Sequence, residues 1–381
     1  MALARSLALL PLVLLAACSG HAPPRALPLF PMQSAWRTPV PDQVVPPLAA
    51  DSSRVFVATR DGALTALSQD DGAVAWRVES RGGPVAATAG LLVVRSEGGT
   101  VSSLRPRDGQ LRWKAETGIA GTLPAVLDGD RLYVAGRGLV ALDAESGRLL
   151  WSDPHGAEIT SPPVPTATRL LVGDADGVLR SVDRATGVTL WSRLTGARVL
   201  APPLVDEAKR RVYVGTTDRR ILELGLDKGE PGWRWKVGAD IQGGGLLLPG
   251  RVVFAGFDAV LWALQRGGNL AWRAALPSRP LGAPLLVRDS IVLVCREKDV
   301  VGLSAATGRL TGSLRTTAEI QTPPLVLGSR LVVGLRDRSV EAYALAQAPA
   351  PPTPEGTPPS ASPPDPAPPD RPEVEDPGGS R

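Results

Sequence analysis

The sequence predicts an all-β fold, an eight-bladed β-propeller of four-stranded antiparallel blades closed by an N-terminal strand. Three observations predict it. A phrase of the form Ala-Leu-Asp-x-x-Thr-Gly-x-x-x-Trp recurs along the 381 residues, most completely as Ala141-Leu142-Asp143-Ala144-Glu145-Ser146-Gly147-Arg148-Leu149-Leu150-Trp151. Upstream of each phrase lies a run of strand-forming residues at period two, such as Arg131-Leu132-Tyr133-Val134-Ala135 or Arg211-Val212-Tyr213-Val214-Gly215. The repeat length is about forty residues, the size of one propeller blade.

Each element of the unit follows from its residues. The first strand carries proline at Pro46-Pro47, Pro84, Pro124, Pro162-Pro163, Pro202-Pro203, Pro284 and Pro323-Pro324. Proline lacks a ladder donor, so this strand belongs at a sheet edge, here the innermost one beside the central channel. One unit starts at Gly243-Gly244-Gly245 instead, which brings the count of units to eight. Second and third strands are joined by turns such as Arg60-Asp61-Gly62. Between the third and fourth strands, Gly72, Gly109, Gly147, Gly187 and Gly268 stand four residues before a Trp, where a hairpin needs positive φ. The fifth unit is expected to insert two residues between Gly229 and Trp235. Trp36, Trp76, Trp113, Trp151, Trp191, Trp235 and Trp272 are the expected structural wedges between blades, each with its N–H on a backbone acceptor. The last unit stops after its third strand at Val340-Glu341-Ala342-Tyr343-Ala344, and Ala35-Trp36-Arg37 is expected to supply the fourth. In the seventh unit Gly312 stands where Trp is expected, which predicts looser packing there.

The termini are of different material. Arg5, the apolar run Leu7 to Leu15 and Leu15-Ala16-Ala17-Cys18 form an export signal over residues 1–17, too short to span a bilayer of about 20 helical residues. Its end resembles the bacterial lipobox. That resemblance implies cleavage before Cys18, lipidation of Cys18 and, with Ser19 following, sorting to the periplasmic face of an outer membrane. Residues 18–33 are expected to be a flexible spacer and 34–347 the propeller. Residues 348–381, with thirteen prolines, are expected to be a disordered tail.

Composition and motifs exclude several chemistries. A net charge of only +4 argues against nucleic-acid binding, which needs a concentrated basic face. His21 and His155 are the only histidines, so neither a histidine metal cluster nor a His-based relay can be assembled. Asp174-Ala175-Asp176-Gly177 lacks the spacing of a calcium loop and is assigned to turn chemistry. Gly243-Gly244-Gly245 lacks the Lys and helix of a phosphate loop. Cys295, in Ile291-Val292-Leu293-Val294-Cys295, has no disulfide partner and is an expected core thiol. No catalytic residue, metal or cofactor is expected. A candidate partner-binding rim is formed by charges four residues before the first-strand proline position: Asp42, Glu79, Glu158, Arg198, Asp240, Arg279 and Glu319.

The repeated Asp-x-x-Thr-Gly-x-x-x-Trp phrase resembles the pyrroloquinoline-quinone-like propeller repeat, from about Ala35 to Leu345. Eight units behind a lipobox, with no added catalytic domain, resemble the BamB family of the outer-membrane β-barrel assembly machinery. Ile320-Gln321-Thr322-Pro323-Pro324-Leu325-Val326 onward is the closest stretch. The resemblance implies a non-enzymatic protein-binding scaffold whose partner is the barrel-forming subunit. The family's Leu-x-Leu-Arg and paired-Asp loop motifs are absent from the stretches Ser152 to Thr160 and Arg193 to Leu200, so no binding residue is carried over. Two alternatives stay open: a quinone-binding or redox-sensing propeller, and an envelope scaffold unrelated to barrel assembly.

Overall fold

A computed structural model describes residues 32–80, 82–153 and 157–344. Cys18, the export signal, most of the spacer, His155 and the proline-rich tail lie outside the described residues. Among the described residues all 32 elements are strands, arranged in eight antiparallel four-stranded sheets. Blades 1 to 7 are continuous in sequence, spanning 44–79, 83–116, 126–152, 164–194, 204–236, 241–275 and 285–315. Blade 8 combines strands within 325–344 with Gln33–Pro39, which pairs antiparallel to Ser339–Ala344 as its outermost strand. The expected closure is therefore present: Trp36 lies opposite Ala342 and Thr38 opposite Val340. Sealing one sheet with the first and last described strands leaves no open edge between the first and last blades.

The core lies between blades rather than within them. The second strand of blade 1 shows the logic: Val55 and Val57 pack with Val332, Val340 and Ala342 of blade 8, while Phe56 and Ala58 pack with Leu92 and Val94 of blade 2. In blade 3, Leu132 and Val134 meet blade 2, and Tyr133 and Ala135 meet blade 4. Period two thus selects the neighbour and not burial, because both faces of these strands are covered; the run is apolar throughout. The outermost strands alternate in exposure, as in Leu111–Glu116.

First strands of adjacent blades touch, those of blades 1 and 2 and of blades 5 and 6 among them, which places them around the channel. The glycines of blade 6 follow from that crowding. A Cβ on Gly243 would stand 2.4 Å from the Gly282 carbonyl oxygen, and one on Gly245 would stand 2.7 Å from the Phe254 ring.

Tryptophan docking joins seven of the eight outer strands to the next blade. The rings of Trp36, Trp76, Trp113, Trp151, Trp191, Trp233 and Trp272 lie over Gly72, Gly109, Gly147, Gly187, Gly229, Gly268 and Gly308. Each of these glycines has φ between 67° and 86°. The indole N–H of the first five donates to the carbonyl three residues before the glycine, at 2.8–3.1 Å, on Gln69, Pro106, Ala144, Arg184 and Leu226.

Blade 5 corrects the sequence reading. Its wedge is Trp233, whose Nε1 donates to the Arg266 carbonyl at 2.8 Å, and not Trp235. Trp233 is four residues from Gly229, so nothing is inserted; Trp235 pairs with Ile221 farther along the strand, and its buried Nε1 has no partner among the described residues. Trp233 also stacks 5.8 Å from Tyr213, as Trp151 does 6.1 Å from Tyr133.

Blade 7 has Gly312 at the wedge position, opposite Gly302. A wedge there would have to dock on the third-to-fourth-strand hairpin of blade 8, and blade 8 has none because its fourth strand comes from the N-terminus. Its interface with blade 7 is filled instead by Met32, Ile320 and Tyr343 against Val292, Val294 and Val300. Absence of a tryptophan in one blade and absence of a receiving turn in the next are the same event.

Candidate partner-binding rim

The connections from each outermost strand into the next blade lie on the same face as the turns between second and third strands. Backbone hydrogen bonds lock the two together. The carbonyls of Glu158, Arg198, Asp240, Arg279 and Glu319 accept from the N–H groups of Ala175, Thr217, Phe257, Arg296 and Arg336, at 2.7–3.1 Å. These five candidate residues therefore occupy one register on five successive blades, 4 to 8.

Two others do not share it. In blade 1 the equivalent carbonyl belongs to Gln43, bonded by Arg60 N–H at 2.9 Å, and Asp42 stands one residue earlier. Glu79 ends the outermost strand of blade 1 opposite Ala63, outside the connection. The position in blade 3 is Ala120. Counting back from proline misplaced Asp42 and Glu79 because connection length varies: Gln43 precedes Pro46 by three residues, whereas Glu158 precedes Pro162 by four.

On the side of blades 6, 7, 8 and 1 the mouth opens into a cavity of about 740 Å³. Phe257 carries the Arg279 guanidinium 5.9 Å from its ring centroid, a cation–π contact. Arg336 pairs with Glu319 at 2.6 Å, both side chains largely exposed, so the pair orders the rim more than it stabilises the fold. Arg60 and Arg296 also line the cavity, and neither guanidinium has a partner among the described residues. Sequence spacing missed Arg60, Arg296 and Arg336 because it followed the connections and not the turns bonded to them. A second cavity of about 700 Å³, shared with blades 1 and 2, has Arg60 and Gln321 in common with the first.

Other candidate positions behave as local structure. Asp174 accepts from Asp176 N–H at 3.1 Å and Val178 N–H at 2.8 Å, a side-chain-capped turn. Among the described residues no three His, Cys, Asp or Glu side chains gather as a metal site. Nor is any helix long and apolar enough to cross a membrane. Cys295 is fully buried in the packing between blades 6 and 7, and that burial pushes its thiol up to about 11. It is therefore a thiol and not a thiolate at neutral pH. A disulfide-exchange reagent at pH 8 is expected to leave Cys295 unlabelled in native protein and to label it fully in denaturant, mapped by peptide mass. Rapid native labelling would mean that this interface opens.

Eight blades, an N-terminal closing strand and tryptophans docked on hairpin glycines define a propeller of pyrroloquinoline-quinone-like repeats. The family model described as outer membrane protein assembly factor BamB matches residues 33–120, 97–253, 197–310 and 257–348. The chain belongs to that family. Outer membrane protein assembly factor BamB of Nitrosomonas eutropha is 25% identical over 131 residues, 34% of this chain and 31% of that protein. The chain thus matches about a third of that relative's length. BamB from Moraxella catarrhalis superposes with a TM-score of 0.68 at 18% identity, over 83% of this chain and 98% of that structure. The same fold recurs in the computationally designed Ika8 protein, with a TM-score of 0.71 at 16% identity over 82% of this chain and 100% of the design. Saccharomyces cerevisiae Sqt1 gives 0.68 at 11% identity, over 82% of this chain and 99% of its own.

Proposed function

We propose that the chain is a non-enzymatic scaffold lipoprotein that assists assembly of outer-membrane β-barrel proteins. The carrying observation is the family match along the whole propeller. Residues 1–17 direct export, Cys18 is lipidated, and the anchor holds the propeller at the periplasmic face of the outer membrane. The protein partner is the barrel-forming subunit of the assembly machinery. The rim of Glu158, Arg198, Asp240, Arg279 and Glu319 is the surface offered to protein: its loops project side chains of both signs while their backbones are fixed by the turn bonds.

Crosslinking in native envelopes, followed by mass identification of what is captured, tests this. The expected capture is a barrel-forming outer-membrane subunit, and Cys18→Ala is expected to shift the chain out of the outer-membrane fraction. Capture of unrelated envelope proteins alone, or an unmodified mature Cys18 by mass, would remove the respective part of the proposal.

A further inference from the structure

Arg60 and Gln321 line both cavities at the channel mouth, which therefore lie side by side as two arms of a trough from blade 6 across blades 7, 8 and 1 to blade 2. Three consecutive blades contribute an arginine at the first position of the second-to-third-strand turn: Arg296, Arg336 and Arg60. The backbone N–H of each is already spent on the connection beside it. A ligand cannot pair with that backbone as an added strand, so recognition falls to side chains.

Those side chains have a definite deficit. Arg336 is satisfied by Glu319 and Arg279 lies over Phe257, but the Arg60 and Arg296 guanidiniums have no partner among the described residues. Gln321 Oε1 is buried without a donor. Carboxylates that line the trough temper the cationic field: Asp258 and Glu297 in the first cavity, Asp61 and Glu97 in the second. Asp61 is engaged by the Thr59 hydroxyl and by Ala63 N–H. The trough therefore asks for two or more acceptor oxygens, one N–H donor and an apolar group for the Phe257 end. A phosphate or sulfate group supplies neither an N–H donor nor an apolar group. A polypeptide supplies all three, since an extended chain places a side-chain carboxylate, a backbone N–H and an apolar side chain within a few residues.

We propose that this trough binds an extended, acidic segment of a polypeptide, with a carboxylate held between Arg60 and Arg296 and a backbone N–H donated to Gln321 Oε1, whose amide turns from its buried orientation into the trough. This rests on the scaffold reading and names the chemistry its rim selects. Bidentate guanidinium–carboxylate pairing gives the specificity. Because both arginines are exposed, the attraction weakens as salt rises.

The test uses the mature chain and three short fluorescent peptides alternating Val with Ser, carrying central Asp, Asn or Lys pairs, read by anisotropy at low salt. The Asp peptide is expected to bind roughly tenfold tighter than the Asn peptide and tighter still than the Lys peptide. Arg60→Ala with Arg296→Ala is expected to abolish that preference, and Gln321→Leu to weaken all three peptides alike. Arg60→Glu with Arg296→Glu is expected to reverse the preference towards Lys, which a misfolded variant would not do. Equal binding of the Asp and Lys peptides, retention of the Asp preference in the double Ala variant, or displacement of the Asp peptide by millimolar inorganic phosphate would overturn the inference. Absence of peptide discrimination in a chain that still captures the barrel-forming subunit defeats this inference and leaves the scaffold reading standing; discrimination without such capture does the reverse.

Discussion

Trp36→Ala is expected to destabilise the entire propeller by ~3–5 kcal/mol, the usual cost of truncating a large buried aromatic side chain. Trp36 is only 7% exposed although it belongs to the first described strand of the chain. Its indole N–H donates to the Gln69 carbonyl at 2.9 Å, and its ring covers Gly72 so closely that a Cβ there would come within 2.6 Å of Cε3. Around it, Val55, Val57 and Leu67 of blade 1 pack with Val332 and Val340 of blade 8. Loss of the ring therefore opens the seam where the first and last described strands meet. The control is the next residue: Arg37→Ala removes an exposed pair with Asp337 and is expected to cost under ~1 kcal/mol. Equilibrium urea denaturation reads both. An unchanged midpoint for Trp36→Ala would mean that the ring is held closed by the strand's backbone pairing alone.

Much of this closure was legible in the sequence because the repeat carries its own bookkeeping. An orphan Trp36 about one repeat before Trp76, and a last unit one strand short, are complementary irregularities. Closure accounts for both. The deviation at Gly312 was visible too, but its meaning required the topology: the expectation of loose packing treated Gly312 as a lost contact, whereas blade 8 has no hairpin for a tryptophan to meet. Trp235 was misassigned although the signal was present. In Gly229-Glu230-Pro231-Gly232-Trp233-Arg234-Trp235 the four-residue spacing selects Trp233, and the conformational requirement sits at the glycine and not at the more prominent Trp-Lys end.

The rim was less legible for a physical reason. Loop positions have no periodicity, and the count back from proline fails wherever a connection gains or loses a residue, as at Asp42 and Glu79. What unites the rim is a tertiary hydrogen bond between a connection and a turn, 17 residues apart along the chain in blades 1, 4 and 6 to 8 and 19 in blade 5. That separation lies well beyond the spacing of any single hairpin or strand. The turn arginines Arg60, Arg296 and Arg336 look in sequence like ordinary solvated hairpin residues, and only the fold sets them on three adjacent blades.

Gly187→Ala and Trp151→Ala, combined in a double-mutant cycle, are expected to show how docking works. Gly187 has φ of 78°, which costs an L residue about 1–2 kcal/mol. An added Cβ would also stand 2.6 Å from Cε3 and 2.8 Å from Cδ2 of Trp151, an overpacking cost of about 1–3 kcal/mol. The single Gly187→Ala change is thus expected to destabilise by roughly 2–5 kcal/mol, a large effect for one methyl group. Trp151, 8% exposed and bonded to the Arg184 carbonyl at 3.1 Å, should cost ~3–5 kcal/mol when cut to Ala. With the ring gone the overpacking term vanishes, and Gly187→Ala in the Trp151→Ala background should cost only the ~1–2 kcal/mol of the left-handed backbone. The double variant is then more stable than the sum of the singles by ~1–3 kcal/mol, well outside the few tenths within which independent sites add. Thermal and urea unfolding of the four proteins measure this directly. Strict additivity would show that the ring and the glycine are neighbours without being a lock, and that the repeat keeps its glycine for the turn alone.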